Sequence, residues 1–221
     1  MVSLDFIEGL PKSGGYDVIL VVVDKFSKYA HFIPMKHPFT ALTGATVFMQ
    51  NIFRLHGLPA ALISDRDRIF TSALWQELFR LSKTEMRMSS SYHPQTDGQT
   101  ERVNQCLETY LRCSVHACPG NWFKWLFLAE YWYNTTFHST LGRTPYEVIY
   151  GTLPREFGVL QVDECSVPDL MAWLKEREVM RELLQQQLKK AQDRMKHQAD
   201  KHRTDREFQV GDLVFLRLQP F

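Results

Sequence analysis

Apolar and polar positions change their period along the chain. From Val2 to Ile7 they alternate as in a strand with one buried face. After a turn cluster at 11–15, the run Asp17-Val-Ile-Leu-Val-Val-Val-Asp24 is apolar on both faces, as a central strand is. Lys25 to Lys28 makes the next turn, and Tyr29 to Met35 predicts a third strand that closes an antiparallel meander. A helix capped by Thr40 or Thr43 runs to about His56 and stops at Gly57 and Pro59. Ala60 to Ser64 predicts a short buried strand, 72–82 a second helix, and Glu85 to Met88 a further strand.

Beyond residue 98 the period becomes helical. Helices are expected over about 99–117 and from Trp122 to Phe137, with a short one opening at Thr144-Pro145. The aromatic stripe between Trp122 and Tyr133 reads either as core or as a base-stacking platform. Leu153 to Val167 reads as a connector. Asp169 to about Arg206 is a long, charge-laced helical run, expected to project from the core. Between Lys175 and Arg206 ten Lys and Arg face six Asp and Glu, which suits a solvated face or a DNA-facing arm. Phe208 to Leu218 predicts a strand.

Composition narrows the class. With 221 residues and 44% hydrophobic positions, the chain can build a sizeable core. A net charge of +1 gives no overall cationic footprint, so any nucleic-acid surface must be local. Cys106, Cys113, Cys118 and Cys165 form no C-x-x-C pair and no zinc-finger spacing. They read as ordinary reduced, mostly buried thiols, suited to the cytosol or nucleus. No apolar run approaches the roughly 20 residues of a membrane helix.

Chemistry concentrates between Ser89 and Glu108. A small-residue run leads into a loop stiffened by Pro94 and loosened by Gly98, which reads as mobile. A helix follows, with Thr96 or Asp97 as its cap. Glu101 falls in the first helical turn with Asn104 on the same face. Alone, Glu101 could simply complement the helix dipole. Asp5 in the first strand and Asp65 at the end of the fourth change that, because adjacent parallel strands can bring two aspartates together under such a helix. Three carboxylates so placed suit Mg²⁺ or Mn²⁺, and two ions about 3.5–4 Å apart would activate the attacking oxygen of a phosphoryl transfer and stabilise the leaving one.

Residues 66–100, 35 in number, separate Asp65 from Glu101. Around this spacing stand Leu4-Asp-Phe-Ile-Glu-Gly-Leu-Pro11, Val22-Val-Asp-Lys-Phe-Ser-Lys28, His56-Gly-Leu-Pro59, Ile63-Ser-Asp-Arg-Asp-Arg-Ile-Phe-Thr-Ser72 and His93-Pro-Gln-Thr-Asp-Gly-Gln-Thr-Glu101. Tyr133-Asn134, His138-Ser139 and Thr144-Pro145 follow. The chain resembles the catalytic core of retroviral and gypsy-type LTR retrotransposon integrases, strongly over about 1–155 and more loosely through Gly211-Asp-Leu-Val214. The resemblance implies an α/β ribonuclease-H-like fold, a five-stranded mixed sheet flanked by helices, then a long helix and a truncated β segment. It divides the chain into a core (1–155), a connector and helical linker (156–207) and the start of an SH3-like domain (208–221).

The resemblance further implies metal-dependent cutting and joining of DNA, with Asp5, Asp65 and Glu101 as catalytic residues that hold two Mg²⁺ or Mn²⁺ ions. Tyr92, His93, Gln95, Arg102 and Asn104 become candidate DNA contacts, while Asp67 competes with Asp65 and ranks behind it. Partners would be element cDNA ends, chromosomal DNA and further copies of the chain, in the nucleus after a cytoplasmic particle stage. Ribonuclease H-type nucleases place a Glu on the first helix, whereas 41–56 holds no acidic residue. Proofreading exonucleases carry Asp-x-Glu on the first strand, where Ile7 stands instead. Neither the family's His/Cys zinc module nor a complete carboxyl-terminal barrel is found in this sequence, which leaves a non-catalytic retroelement remnant as the alternative.

Overall fold

The computed structural model describes residues 1–88, 98–115, 119–154, 166–201 and 209. Five strands form one mixed sheet: β1 (Val2–Ile7), β2 (Val18–Asp24), β3 (Ala30–Met35), β4 (Ala61–Ser64) and β5 (Glu85–Met88), in spatial order β3-β2-β1-β4-β5. The meander pairs antiparallel, while β4 adds parallel to β1 and β5 parallel to β4. Helices α1 (Ala41–Phe48), α2 (Arg54–His56) and α3 (Ala73–Leu81) come before residue 85. After it come α4 (Gly98–Ser114), α5 (Trp122–Thr135), α6 (Pro145–Tyr150) and α7 (Pro168–Asp200). A five-residue π-helical stretch, Met49–Phe53, joins α1 to α2, so the single helix expected to His56 has a widened turn.

Helix starts follow local capping chemistry. Thr40 caps α1 by accepting the Thr43 N–H, and Ser72 caps α3 by accepting that of Trp75. Thr144 and Glu147 form a reciprocal capping box around α6, with Pro145 in its first turn. The caps expected for α4, at Thr96 or Asp97, lie outside the described residues, as does the expected strand within 208–218 except for Gln209.

β2 explains why the sheet needs two covers. Val18, Leu20 and Val22 pack with Phe48, Trp75 and Phe79 on one face, and Ile19, Val21 and Val23 pack with Leu107, Trp122 and Trp125 on the other. Period-2 alternation with every position apolar therefore feeds two cores at once. Trp122 and Trp125 are buried, so that part of the aromatic stripe is core, whereas Phe127 is exposed. The long helix departs from the expected projection. Leu184 is only 6% exposed, and Met180 and Leu188 pack beside it against the α4–α5 layer, so α7 is docked at mid-length. The thiols differ from expectation too: Cys106 is exposed and Cys113 half-buried, while Cys118 and Cys165 lie outside the described residues. No helix among the described residues is long and apolar enough to cross a membrane.

The outer edge of β3 is closed by two side chains of α5. Asn134 accepts the Ala30 N–H and donates to the Ala30 carbonyl, both at 2.8 Å. Glu130, one turn earlier, accepts the Phe32 N–H at 2.8 Å. An edge strand whose polar groups are taken by side chains cannot template pairing with another strand. Asn134 is almost fully buried. Replacing it by Ala removes two hydrogen bonds and orphans both partners, so Asn134→Ala is expected to destabilise the fold by about 2–3 kcal/mol in urea unfolding. A loss below about 0.5 kcal/mol would show that the edge does not depend on it.

Candidate active site

Parity along β1 decides which of its side chains meet α4. Leu4 faces the α1–α3 core, and Ile7 faces the α4–α5 core. Ser3 and Asp5 share the parity of Ile7. The Ser3 and Thr100 hydroxyls are 2.7 Å apart in a fully buried pair, and the Asn104 Nδ2 donates to Asp5 Oδ2 at 2.6 Å. Two residues of strand advance about 6.8 Å and four residues of helix about 6 Å, so α4 can follow β1 with matching steps. Ser3 meets Thr100, and Asp5 meets Asn104, one helical turn later.

The second aspartate arrives through the parallel pairing. Leu4 stands opposite Ser64, so Asp5 and Asp65 each lie one residue further along neighbouring strands. Asp65 Oδ1 accepts the Asp67 N–H at 3.0 Å. Asp67 is occupied differently. Its Oδ1 accepts the Ile69 N–H at 2.7 Å, and its carbonyl accepts from both the amide and the hydroxyl of Thr71. Asp67 thus builds the turn into the next helix. Glu101 occupies the exposed first turn of α4, between the two residues that fasten this helix to β1.

Asp5 is held firmly, with Oδ1 accepting the Phe6 N–H at 2.8 Å and Oδ2 the Asn104 amide. The Asn104 Oδ1 is buried without a hydrogen-bond partner. Among the described residues no set of three or more His, Cys, Asp or Glu side chains is gathered tightly enough to hold a metal ion. What this corner offers is hard oxygen: the two aspartates, Glu101 and the orphaned Asn104 oxygen. That donor chemistry fits Mg²⁺ or Mn²⁺ and does not fit a thiolate- or imidazole-loving ion.

No family model matches the chain. Over 152 residues it is 41% identical to the transposon Tf2-3 and Tf2-4 polyproteins of Schizosaccharomyces pombe (strain 972 / ATCC 24843), a match covering 69% of this chain. The chain spans 11% of the length of those polyproteins. Among solved structures, the catalytic core domain of BIV integrase superposes with TM-score 0.53 at 25% identity, covering 66% of this chain and 91% of that one. The HTLV-2 integrase catalytic core domain, in complex with magnesium, gives TM-score 0.54 at 21% identity over 66% and 93%. The chain is thus similar to retrotransposon polyproteins in sequence and to retroviral integrase cores in fold. Its sheet order and flanking helices are the ribonuclease-H-like fold of integrase cores.

Other candidate residues of the chain fall in different places. Tyr92, His93 and Gln95 lie outside the described residues. Asn104 is turned onto Asp5, where its Nδ2 donates to the carboxylate. Arg102 is exposed beside Glu101. It belongs to a cationic flank that the sequence did not single out. Burial first, then Lys28 and Arg102, hold the His138 imidazole below its ordinary pKa. Lys28, in a left-handed turn at φ 63°, donates to the Lys25 carbonyl. Its own pKa is lowered by burial and by Lys25. The buried Ser3–Thr100 pair was also missed, although a serine beside the first aspartate and a threonine beside Glu101 were its signals.

Two outcomes follow from this geometry. In Asn104→Asp, two carboxylates meet at hydrogen-bond distance and share a proton, raising one folded-state pKa above the ordinary aspartate value of about 3.9. A raised carboxylate pKa makes stability fall as pH increases. The melting-temperature gap to the parent should therefore be small at pH 4 and widen towards pH 7; a constant gap would contradict the contact. For His138, the lowered pKa means stability declines as pH drops through the unfolded value of 6.5. DNA phosphates against this flank should raise the His138 pKa in an NMR titration, and an unmoved midpoint would put DNA elsewhere.

Proposed function

We propose that this chain carries the polynucleotidyl transferase centre of a retroelement integrase, which processes the 3′ ends of element cDNA and joins them to chromosomal DNA. The observation that carries the proposal is the convergence of Asp5, Asp65 and the first turn of α4, supported by the Ser3–Thr100 and Asp5–Asn104 contacts. Asp5, Asp65 and Glu101 would hold two Mg²⁺ or Mn²⁺ ions. When bound, such ions polarise the reacting phosphate and lower the pKa of the attacking oxygen.

The chain's own groups have separate tasks. Asn104 and the Phe6 N–H orient the Asp5 carboxylate, leaving its charge directed at the site. Glu101 brings a carboxylate from an exposed helix start, where the positive end of the helix dipole favours its charged form. Arg102 and Lys28 would draw the phosphodiester backbone in, and His138, neutral at pH 7 in the free chain, can take a proton as phosphate charge approaches. Further copies of the chain, both DNA partners and a nuclear place of action complete the reading.

A binding-only remnant is the second reading, favoured by the lack of a tight three-carboxylate cluster among the described residues. A Mg²⁺- or Mn²⁺-dependent disintegration assay on a branched DNA substrate separates the two. Glu101→Gln should lower joining by at least about 10²-fold while leaving the melting temperature within a few degrees. Asp67→Asn, which keeps the oxygen that accepts the Ile69 N–H, should retain joining. Joining by Glu101→Gln at the parental rate, or none by the parent protein, would remove the transferase assignment.

A further inference from the structure

Arg177 on α7 is a charged group without the partners it needs. Its Nε and Nη1 are buried and have no hydrogen-bond partner. The guanidinium lies 3.8 Å from the Trp173 ring centroid and 4.8 Å from that of Phe127. Burial lowers its pKa, and neighbouring Glu176 offsets this only in part. That carboxylate is already paired with Lys124 of α5. Aromatic faces satisfy the flat surfaces of a guanidinium, but its in-plane N–H groups still require acceptors.

Arg177 lines a cavity of about 410 Å³ between α4, α5 and α7, with its unpaired donors just beneath the wall. Its walls include Tyr110, Tyr131, Trp132, Leu184 and Arg181, so an apolar body and an anionic group are accommodated together. The volume lies in the range of pockets that take a side chain or a small ligand whole. Arg181 stands one turn beyond Arg177 on the same cavity. A DNA backbone matches this site poorly: it needs a row of free cations, whereas the adjoining groove carries Glu130 and its Lys124 is already paired with Glu176.

We propose that the α5–α7 cleft docks an acidic peptide in which an Asp or Glu lies beside a large apolar side chain. The carboxylate accepts the in-plane N–H groups of Arg177, a geometry in which guanidinium and carboxylate match as fork to fork. The apolar neighbour enters between Trp132 and Leu184. Charge complementarity decides the occupant, since a neutral apolar segment would leave the buried donors unpaired. The site is separated in the fold from the Asp5 corner, and its occupancy is independent of joining chemistry.

The test uses the full 221-residue chain and fluorescein-labelled, capped heptapeptides that pair Asp or Glu with Leu, Phe or Trp, read by fluorescence anisotropy. Saturable binding in the micromolar range is expected for the acidic panel, and at least tenfold weaker binding for the matched Asn and Gln panel. Arg177→Met keeps an unbranched body beside the two rings and removes every donor; it should weaken binding at least tenfold with an unchanged circular dichroism spectrum. If that variant fails to fold, Arg177→Lys, which keeps the charge without the fork, should lose several-fold. Absence of saturable binding across the acidic panel, or equal affinity in the variants, overturns the proposal. So does a duplex oligonucleotide that displaces the peptide with the same Arg177 dependence, which would assign the cleft to DNA. A change of oligomeric state in Arg177→Met by light scattering would assign it to a second copy and overturn it equally.

Discussion

The seam between β1 and α4 is the constraint on which the candidate site depends. A buried Ser3–Thr100 hydroxyl pair and the Asp5–Asn104 hydrogen bond fasten a helix along a central strand at two successive steps. Hydroxyls buried away from solvent favour the one alignment that satisfies both, because a slip of one strand residue would place Leu4 against Thr100. Glu101 lies between these fastenings, so its backbone is set by them even though its side chain is exposed. Rigid support behind an exposed carboxylate is what a phosphoryl-transfer centre requires of its scaffold.

That seam in turn rests on a sheet buried on both sides. β2 and β1 divide their side chains between two hydrophobic layers, and each layer needs its own helices. The α1–α3 side is a dense aromatic cluster in which Phe48, Phe70, Trp75 and Phe79 meet edge to face or tilted, with centroids 5.2–5.9 Å apart. Such contacts fix ring orientation as well as burying area. On the other side, α4 and α5 are braced by α7 through Leu184. A helix rich in charge is thereby tied into the core by one short apolar patch, while most of its length stays solvated.

Electrostatics divides the molecule into regions that net charge conceals. A total of +1 is compatible with an acidic corner at Asp5, Asp65 and Glu101 and a cationic flank of Lys28 and Arg102 beside His138. It is equally compatible with a desolvated guanidinium in the α5–α7 cleft. Salt screens exposed charges beyond about 8–10 Å, so each region acts locally.

Much of the strand and helix pattern was legible from periodicity and caps, because each depends on neighbours in sequence. Thr40, Ser72 and Thr144 announce their helices through side chains that reach three residues ahead. The carboxylate spacing, read with its surrounding motifs, indicated the family as well. Contacts between distant positions were decided only by the tertiary structure. Asn104 looks like any polar residue on a helix face until parity on β1 places Asp5 beneath it. Asn134 gives no sign that it closes the edge of β3, 104 positions away. The docking of α7 was hidden because one buried leucine in a charged helix hardly changes its amphipathic pattern. Local hydrogen bonding and hydrophobic period are properties of short stretches and can be read along the chain. Which polar side chain finds which partner is set by packing, and exists only once the sheet and its two layers are assembled.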